Sequence, residues 1–393
     1  MTRFHELADW REPQALLAVP PRRGILLVEL AEGAPYIGRT ANLRKRLRRL
    51  LAFKLAPSSR LTLRDVAKSV HFRTTGSSFE SDLALYGVLR RHRPRSYREI
   101  LKLRPAFFVK LLLGNRFPRV CLSRRLARSR ALFYGPFPNR GAAERFRDAF
   151  LDLFLVRRCT ENLDPSPDHP GCIWGEMNLC LRPCQAACDD SQYAREVERM
   201  ATFLATDGES VLGEAAAARE RASAGLEFEA AARHHRRWGK AREALRLRGD
   251  LAREISMQCG MVLQQSAQDS CIELTPLHMG SLQSSVRLRH GSEPSRADLG
   301  RAIKSALADR DWRVAPPRAR EEHLALLQRW HASSFRTGRF VRFEGPGELP
   351  LRRLANAAFH VATAGCLKSQ RQRGARITRR PAQSSSGTTT NSG

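Results

Sequence analysis

Four cysteines within a short segment are the residues whose type and spacing are most suited to chemistry. They follow the pattern Cys159-x12-Cys172-x7-Cys180-x3-Cys184, and Cys188 follows four residues further on. Several thiolates that converge can hold a metal ion, and four of them suit zinc. Cys180, Cys184 and Cys188 would share one face if this segment were helical. The alternative, buried thiols that pack as small hydrophobic groups, accounts poorly for five cysteines in so short a segment.

The cellular compartment supports the metal interpretation over disulfides. The chain has no stretch of about 20 apolar residues that could span a membrane, and its first residues lack the apolar region of a signal peptide. We therefore expect a cytoplasmic protein whose cysteines remain thiols. The isolated cysteines, which we expect to be structural, are Cys121, Cys259, Cys271 and Cys366.

Charge points to a polyanionic partner. The chain has 68 Lys and Arg against 39 Asp and Glu, which gives a formal net charge of +29 and a pI near 11.1. Such a surface favours nucleic acid, ahead of an anionic membrane or an acidic protein. A general preference for Arg over Lys would explain the choice of basic residue but not the excess over acidic ones.

The elements that would position these residues can be read from periodicity. Residues 24–30 form an apolar run and predict a strand, followed by a turn and a second strand at Tyr36-Ile37. From Asn42, leucines spaced three to four apart alternate with basic residues, which predicts an amphipathic helix with a positive face. A second helix is predicted over 78–92, and strands around 107–113 and 117–122. After residue 189, a long run rich in Ala, Glu and Arg predicts a helical hairpin that breaks near Ala224-Gly225.

The N-terminal motifs resemble those of a known family. Gly24-Ile25-Leu26, Tyr36-Ile37-Gly38-Arg39 and Asn42-Leu43-x-x-Arg46 resemble the GIY-YIG nuclease motif, in the form found in the UvrC family of DNA-repair proteins. The resemblance continues in order through three further motifs and covers roughly residues 20–250. These motifs are His92-Arg-Pro-Arg95, Phe117-Pro-Arg119 and Phe133-Tyr-Gly-Pro-Phe137.

For phosphodiester cleavage, the resemblance implies that Tyr36 orients or deprotonates water, with Arg39 beside it and Arg46 on the phosphate. The same comparison places Leu26 where the family has its first tyrosine, Leu85 where it has its metal-binding glutamate and Tyr97 where it has an asparagine. Leucine offers no oxygen to a hard cation such as Mg²⁺. A displaced carboxylate, Glu80 or Asp82, is the conceivable replacement.

Two further features are carried by the same resemblance. The cysteine segment is similar to the UvrC cluster region, which implies a 4Fe-4S cluster on Cys159, Cys172, Cys180 and Cys184, with zinc as the competitor. The run that begins at Leu226 is similar to the UVR motif, whose helical hairpin pairs with a like hairpin on UvrB. A UvrB-like protein would then bind through residues 215–250, although an ordinary helical pair that covers a core is the alternative.

The chain is therefore expected to be a mixed α/β protein in five parts. These are a GIY-YIG-like domain with an antiparallel sheet (20–100), a strand region with the cysteine cluster (101–188), a helical UVR-like hairpin (189–250), a C-terminal region of unclear fold (251–360) and a basic, disordered tail (361–393). Nothing after residue 250 resembles the second, RNase H-like nuclease of the family.

These expectations leave two main functions open. The first is an adaptor in nucleotide excision repair that binds DNA and UvrB without cutting, and Leu26 and Leu85 favour it. The second is a metal-dependent DNA endonuclease that makes one incision with Mg²⁺ on a relocated carboxylate. A structural nucleic-acid-binding protein unrelated to repair would explain the charge but not the order of the motifs.

Overall fold

The computed structural model describes residues 4–51, 63–127, 130–334 and 336–377, and their side chains as far as residue 364. The strands are β1 His5–Glu6, β2 Gly24–Leu30, β3 Tyr36–Thr40, β4 Ala67–Thr74, β5 Phe107–Leu112, β6 Arg119–Ser123, β7 Ala131–Phe137, β8 Arg253–Glu254, β9 Cys259–Gln265, β10 Cys271–His278, β11 Ser281–Leu282, β12 Val286–Arg289 and β13 Arg339–Phe343. The α-helices are α1 Leu43–Leu50, α2 Leu63–Val66, α3 Ser78–His92, α4 Tyr97–Ile100, α5 Arg140–Leu151, α6 Ile173–Glu176, α7 Asp190–Ala205, α8 Glu209–Ala224, α9 Phe228–Leu247, α10 Arg296–Leu307, α11 Pro317–His331 and α12 Leu351–Ile377. The strands form antiparallel sheets, so the predicted mixed α/β class is confirmed.

The N-terminal domain, residues 4–103, is built on a sheet of strand order β1-β4-β2-β3. Its predicted hairpin is β2–β3, and the predicted helix over 78–92 is α3 with the same bounds. Side chains alternate between the faces of a strand. On β2, Leu26 therefore packs with α1 on one face, while Ile25 packs with α3 on the other. Both helices begin at side-chain caps, Asn42 for α1 and Ser77 for α3.

The middle domain, residues 107–254, has a sheet of strand order β6-β5-β7-β8. Its core is rich in aromatic side chains, with the rings of Tyr134 and Phe146 stacked at 5.0 Å between centroids. The same core includes Tyr193 and Phe203 of α7 and Ala241 of α9. The strand region and the helical segment that we predicted as separate parts thus share one core.

Helices α8 and α9 form the hairpin predicted from the sequence, with the break after Ala224. Small side chains, including Ala215, Ala222 and Ala244, are buried and allow the helices to approach closely. At the tip of the hairpin, Leu226 and Phe228 remain 72% and 71% exposed. This tip is an apolar surface without a covering element in the described part of the chain.

The C-terminal domain, residues 255–364, is a mixed unit whose sheet has the order β11-β10-β9-β13, with β12 also paired to β10. Helices α10 and α12 cover one face of this sheet through a core that includes Met261 and Leu274. Helix α11 covers the other face, where Val262 and Leu277 point.

Helix α12 extends through residues 361–377, which we expected to belong to a disordered tail. The rest of that tail, 378–393, lies outside the described residues. No helix within the described ranges is long and apolar enough to cross a membrane.

The N-terminal and C-terminal domains meet through α3 and α11. Trp330, Leu326 and Leu327 of α11 belong to the same buried cluster as Phe79 and Leu85 of α3. Gly76 is required where the two domains approach, because a Cβ atom there would lie 2.2 Å from the carbonyl oxygen of Gln265. An apolar core is thus continuous across this contact.

His323, a buried side chain of α11, makes the stability of the folded chain sensitive to acid. The backbone N–H of Leu282 donates to Nδ1 of His323 at 3.1 Å, and burial lowers the pKa of His323 to about 4. In the unfolded chain this imidazole takes up a proton near its ordinary pKa of 6.5. The protonated form is therefore favoured in the unfolded chain, and stability falls as the pH drops from about 6.5 to about 4.

We predict that lowering the pH from about 7 to about 4 reduces the free energy of unfolding of the native chain by up to about 3 kcal/mol more than that of His323→Gln. The glutamine amide oxygen can still accept the Leu282 N–H, but it does not titrate. Urea unfolding at both pH values measures the difference. Equal losses in the two proteins would contradict a buried neutral imidazole.

Candidate functional sites

Tyr36 and Arg46, two of the predicted catalytic residues, are in direct contact. Nη2 of Arg46 on α1 donates to the Tyr36 hydroxyl at 2.8 Å. Gly38 makes room for this hydroxyl, because a Cβ atom at that position would lie 2.9 Å from it. A phenol beside a guanidinium can hold a phosphate oxygen.

Arg39, the third predicted residue, has a different partner. It forms an ion pair with Asp82 of α3, and its side chain is 51% exposed while that of Asp82 is 11% exposed. Because successive side chains of a strand point to opposite faces, Arg39 lies on the α3 face of β3 and Tyr36 on the α1 face. The predicted triad is thus divided into the pair Tyr36–Arg46 and the pair Arg39–Asp82.

The position where the family resemblance places a metal-binding glutamate is buried in an apolar cluster. Leu85 is 7% exposed and belongs to the apolar cluster shared with Trp330 and Leu326 of α11. Leu26, at the first tyrosine position, is fully buried among the leucines of α1. Both leucines are therefore packing residues here.

Tyr97, which stands where the family has an asparagine, also contacts α11. Its hydroxyl donates to Oε1 of Glu322 at 2.6 Å, and the hydroxyl of Tyr86 donates to Oε2 at 2.7 Å. Nε of Arg98 adds a third bond to Oε1 at 2.7 Å. A single buried carboxylate of the C-terminal domain thus binds three side chains of the N-terminal domain.

The charge on Glu322 is well satisfied. Burial acts to raise the pKa of Glu322, but hydrogen bonds from Tyr97, Tyr86 and Arg98 outweigh it and hold the pKa below its ordinary value. A carboxylate that accepts several hydrogen bonds remains ionised even when buried. Removing this acceptor would leave the two hydroxyls and the guanidinium without a shared partner.

The two carboxylates considered as replacements for a metal ligand are both engaged. Asp82 is paired with Arg39, and Arg329 of α11 lies within electrostatic reach of both. Glu80 accepts the Gly76 N–H at 2.7 Å and pairs with Arg73 at 3.4 Å. Each thus has a structural partner in the described part of the chain.

The cysteine segment is largely an irregular loop, interrupted by the short helix α6 and a 3-10 turn at Pro183–Gln185. Cys180, Cys184 and Cys188 do not lie on one continuous helix, so the condition under which they would share a helix face is not met. The loop turns tightly because several residues adopt left-handed backbone conformations, which are uncommon outside glycine. These are Gly171, Asn178, Arg182 and Ala186.

The turns of this loop bring the predicted ligands near one another. Burial, and then the charges of Cys159, Cys172 and Cys184, raise the pKa of Cys180 to about 11. Mutual repulsion of this kind is relieved when a cation binds the thiolates. Within the described ranges, however, no three His, Cys, Asp or Glu side chains are placed as a formed metal site. The four thiols are therefore chemically suited to a metal ion, but the loop would have to bring them closer together to bind it.

Comparisons with known proteins cover these same segments. The family model for the UvrC/Cho excinuclease middle domain matches residues 107–203, from β5 into α7. UvrABC system protein C of Edwardsiella ictaluri is 30% identical over 199 residues, which is 50% of this chain and 32% of that protein. The protein of the same name from Carboxydothermus hydrogenoformans is 27% identical over 218 residues, or 55% of this chain and 35% of that protein.

A longer alignment reaches 275 residues of UvrABC system protein C from Lachnospira eligens, at 22% identity, and covers 68% of this chain and 44% of that protein. In the two alignments above, the chain spans about a third of its relatives' length. No solved structure matches the chain.

Sequence reasoning missed the residues of α11. Glu322, Arg329 and Trp330 lie more than two hundred residues from the motifs they contact. The departures at Leu85 and Tyr97 were visible in the sequence. Only the fold shows that Leu85 shares an apolar cluster with this distant helix and that Tyr97 hydrogen-bonds to it.

We predict that Leu85→Glu does not create a metal site but destabilises the protein by about 3 kcal/mol or more, because it places a carboxylate in an apolar cluster. The matched control is Gly87→Glu on the same helix, where a Cβ atom would meet nothing within 4 Å. We expect this control to be neutral or slightly stabilising, since glycine is a poor helix former. Urea unfolding with and without Mg²⁺ measures both variants, and a Leu85→Glu protein that Mg²⁺ stabilises would contradict the prediction.

Proposed function

Because the chain is a UvrC-family protein, we propose that it acts in nucleotide excision repair as a component that binds DNA without cutting it. The observation that carries this proposal is the contact between α11 and α3. The side chains at the metal-binding position and at the asparagine position, Leu85 and Tyr97, both hold the C-terminal domain in place. A surface committed to this contact is not available to a metal ion.

The residues that remain support binding. Tyr36 and Arg46 form a polar pair at the edge of the first sheet, and further basic side chains follow on the exposed face of α1, including Lys45 and Arg48. Contacts of this kind fix a protein on the DNA backbone without reading its sequence. Catalysis would in addition need a group that holds a metal at the phosphate.

Binding and cutting can be separated with the native chain and two variants, Tyr36→Phe and Arg46→Ala. We predict that the native chain binds a bubble-containing duplex without cleaving it in Mg²⁺ or Mn²⁺. Arg46→Ala should weaken binding by about tenfold through the loss of a charged phosphate contact, whereas Tyr36→Phe should have a smaller effect. Anisotropy measures binding and a denaturing gel measures cleavage.

An alternative outcome is decisive. Cleavage by the native chain that Tyr36→Phe and Arg46→Ala abolish would favour the second function, a single-incision endonuclease. Asp82 would then have to leave Arg39 to bind Mg²⁺. Asp82→Asn should in that case abolish cutting while DNA binding remains.

We further propose that residues 215–250, which include most of the α8–α9 hairpin, bind a UvrB-like protein. Its support is the exposed apolar tip formed by Leu226 and Phe228, which a partner hairpin could cover. In the same anisotropy experiment, added UvrB should increase the signal of the native complex but not that of a Phe228→Ser variant. Equal responses would place the contact elsewhere.

The cysteine loop is proposed to hold a 4Fe-4S cluster, or zinc, on Cys159, Cys172, Cys180 and Cys184. The bound group would hold the loop closed, since its thiolates would otherwise repel one another. The chain itself holds the loop against the core of the middle domain. The N–H of Leu181 in the loop donates to the carbonyl oxygen of Leu155, just after α5, at 3.0 Å.

We predict that anaerobically purified protein contains about four iron atoms and absorbs visible light broadly, or contains one zinc and does not. Cys180→Ser should lose the metal and lower the melting temperature. Cys271→Ser, a buried cysteine of the C-terminal domain, is the matched control and should keep the metal. Metal analysis and thermal melting give both readouts, and full metal content in Cys180→Ser would contradict the assignment.

A further inference from the structure

A groove of about 600 Å³ lies between the first turn of α10 and the exposed side of α12. It is lined by Arg296, Ala297, Arg352, Ala355, Asn356 and His360. We propose that this groove binds phosphodiester groups of DNA and gives the C-terminal domain its own contact with the nucleic acid. The proposal rests on the proposed DNA binding and adds a second site, on the face of the third sheet opposite α11.

The helices are placed so that the polar side chains converge. Arg352, Asn356 and His360 are spaced four residues apart and therefore lie along one face of α12. Below them the helices approach closely, because a Cβ atom on Gly300 would lie only 3.5 Å from that of Ala355. Small residues form the floor of the groove, and long basic side chains form its walls.

Within the part of the chain that the structure describes, no acidic side chain neutralises the charge of the groove. Other arginines of this domain form ion pairs, such as Arg287 with Glu273 and Arg301 with Asp298. Among the described residues, by contrast, no carboxylate forms an ion pair with the arginines that line the groove, and no carboxylate lines it. The groove therefore presents positive charge without a compensating acid.

Arg296 is held in place by an aromatic ring. Its guanidinium carbon lies 4.4 Å from the centroid of the Phe359 ring. A cation over the face of a ring is attracted by the ring quadrupole, and a guanidinium in this position keeps its N–H donors free. Because the planar guanidinium matches the geometry of phosphate oxygens, an oriented and unpaired arginine is suited to this ligand.

The sequence that follows indicates an extended polyanion and not a single free phosphate. Helix α12 continues to Ile377, and the sequence places Lys368, Arg371 and Arg373 in this continuation. Positive charge thus continues along the chain beyond the groove. This run of basic residues in the sequence favours a chain of phosphates over a single phosphate as the ligand.

The test uses the full chain, a fluorescein-labelled duplex and a series from about 50 to about 200 mM KCl. The double variant Arg296→Gln with Arg352→Gln should bind about tenfold more weakly. The slope of log K against log salt should fall by about 1.8, since each phosphate contact contributes about 0.9. The matched control is Arg289→Gln with Arg353→Gln, which removes two charges from exposed positions outside the groove and should change the slope little.

Several outcomes would overturn the proposal. Equal losses in the two double variants would mean that only net charge matters, and no loss in the groove variant would exclude the groove while the DNA-binding function stands. No DNA binding by the native chain would overturn both. Calorimetry with inorganic phosphate adds a further arm: binding that the groove variant abolishes, with unchanged DNA affinity, would assign the groove to free phosphate and not to DNA.

Discussion

The arrangement of the domains depends on the hydrogen bonds that the buried carboxylate of Glu322 accepts. It accepts hydrogen bonds from Tyr86, Tyr97 and Arg98, and so links a helix near the end of the chain to a domain near its beginning. Buried charges are costly unless their hydrogen-bonding capacity is met, and here three donors meet it. The apolar cluster that contains Leu85 and Trp330 lies in the same interface. Polar and apolar contacts thus hold one orientation of α11.

This orientation is the basis for proposing that the N-terminal domain does not cut DNA. A hard cation at a phosphodiester needs carboxylate oxygens that face solvent and substrate. The interface replaces such a surface with a core, and the nearby acids are used elsewhere: Asp82 neutralises Arg39, and Glu80 accepts the N–H of Gly76. The Tyr36–Arg46 pair lies on the other face of the sheet and is unaffected by α11. The proposed phosphate binding by this pair therefore does not depend on the contact between α3 and α11.

Local elements could be predicted from the sequence because local patterns determine them. The hairpin of β2 and β3, the capped helix α3 and the break at Ala224 follow from turn residues, capping and apolar periodicity. The contact between α3 and α11 could not be predicted, since no local pattern relates Leu85 to Trp330. For the cysteine loop, the sequence indicated the function but not the local structure. The spacing of its cysteines indicated a shared centre, but the helix we considered for it is absent, and left-handed residues such as Arg182 turn the loop instead.

The distribution of charge supports the proposal that several domains contact DNA. A net charge of +29 reflects far more basic side chains than the single arginine of the Tyr36–Arg46 pair. Arginines that stabilise the fold are paired with acids, as in Arg287 with Glu273, and contribute little to the field outside the protein. The arginines without such partners produce the external field, and they occur on α1 and around α10 and α12. Because backbone contacts add together in the release of counterions, separate basic surfaces strengthen binding even when each is weak and none reads sequence.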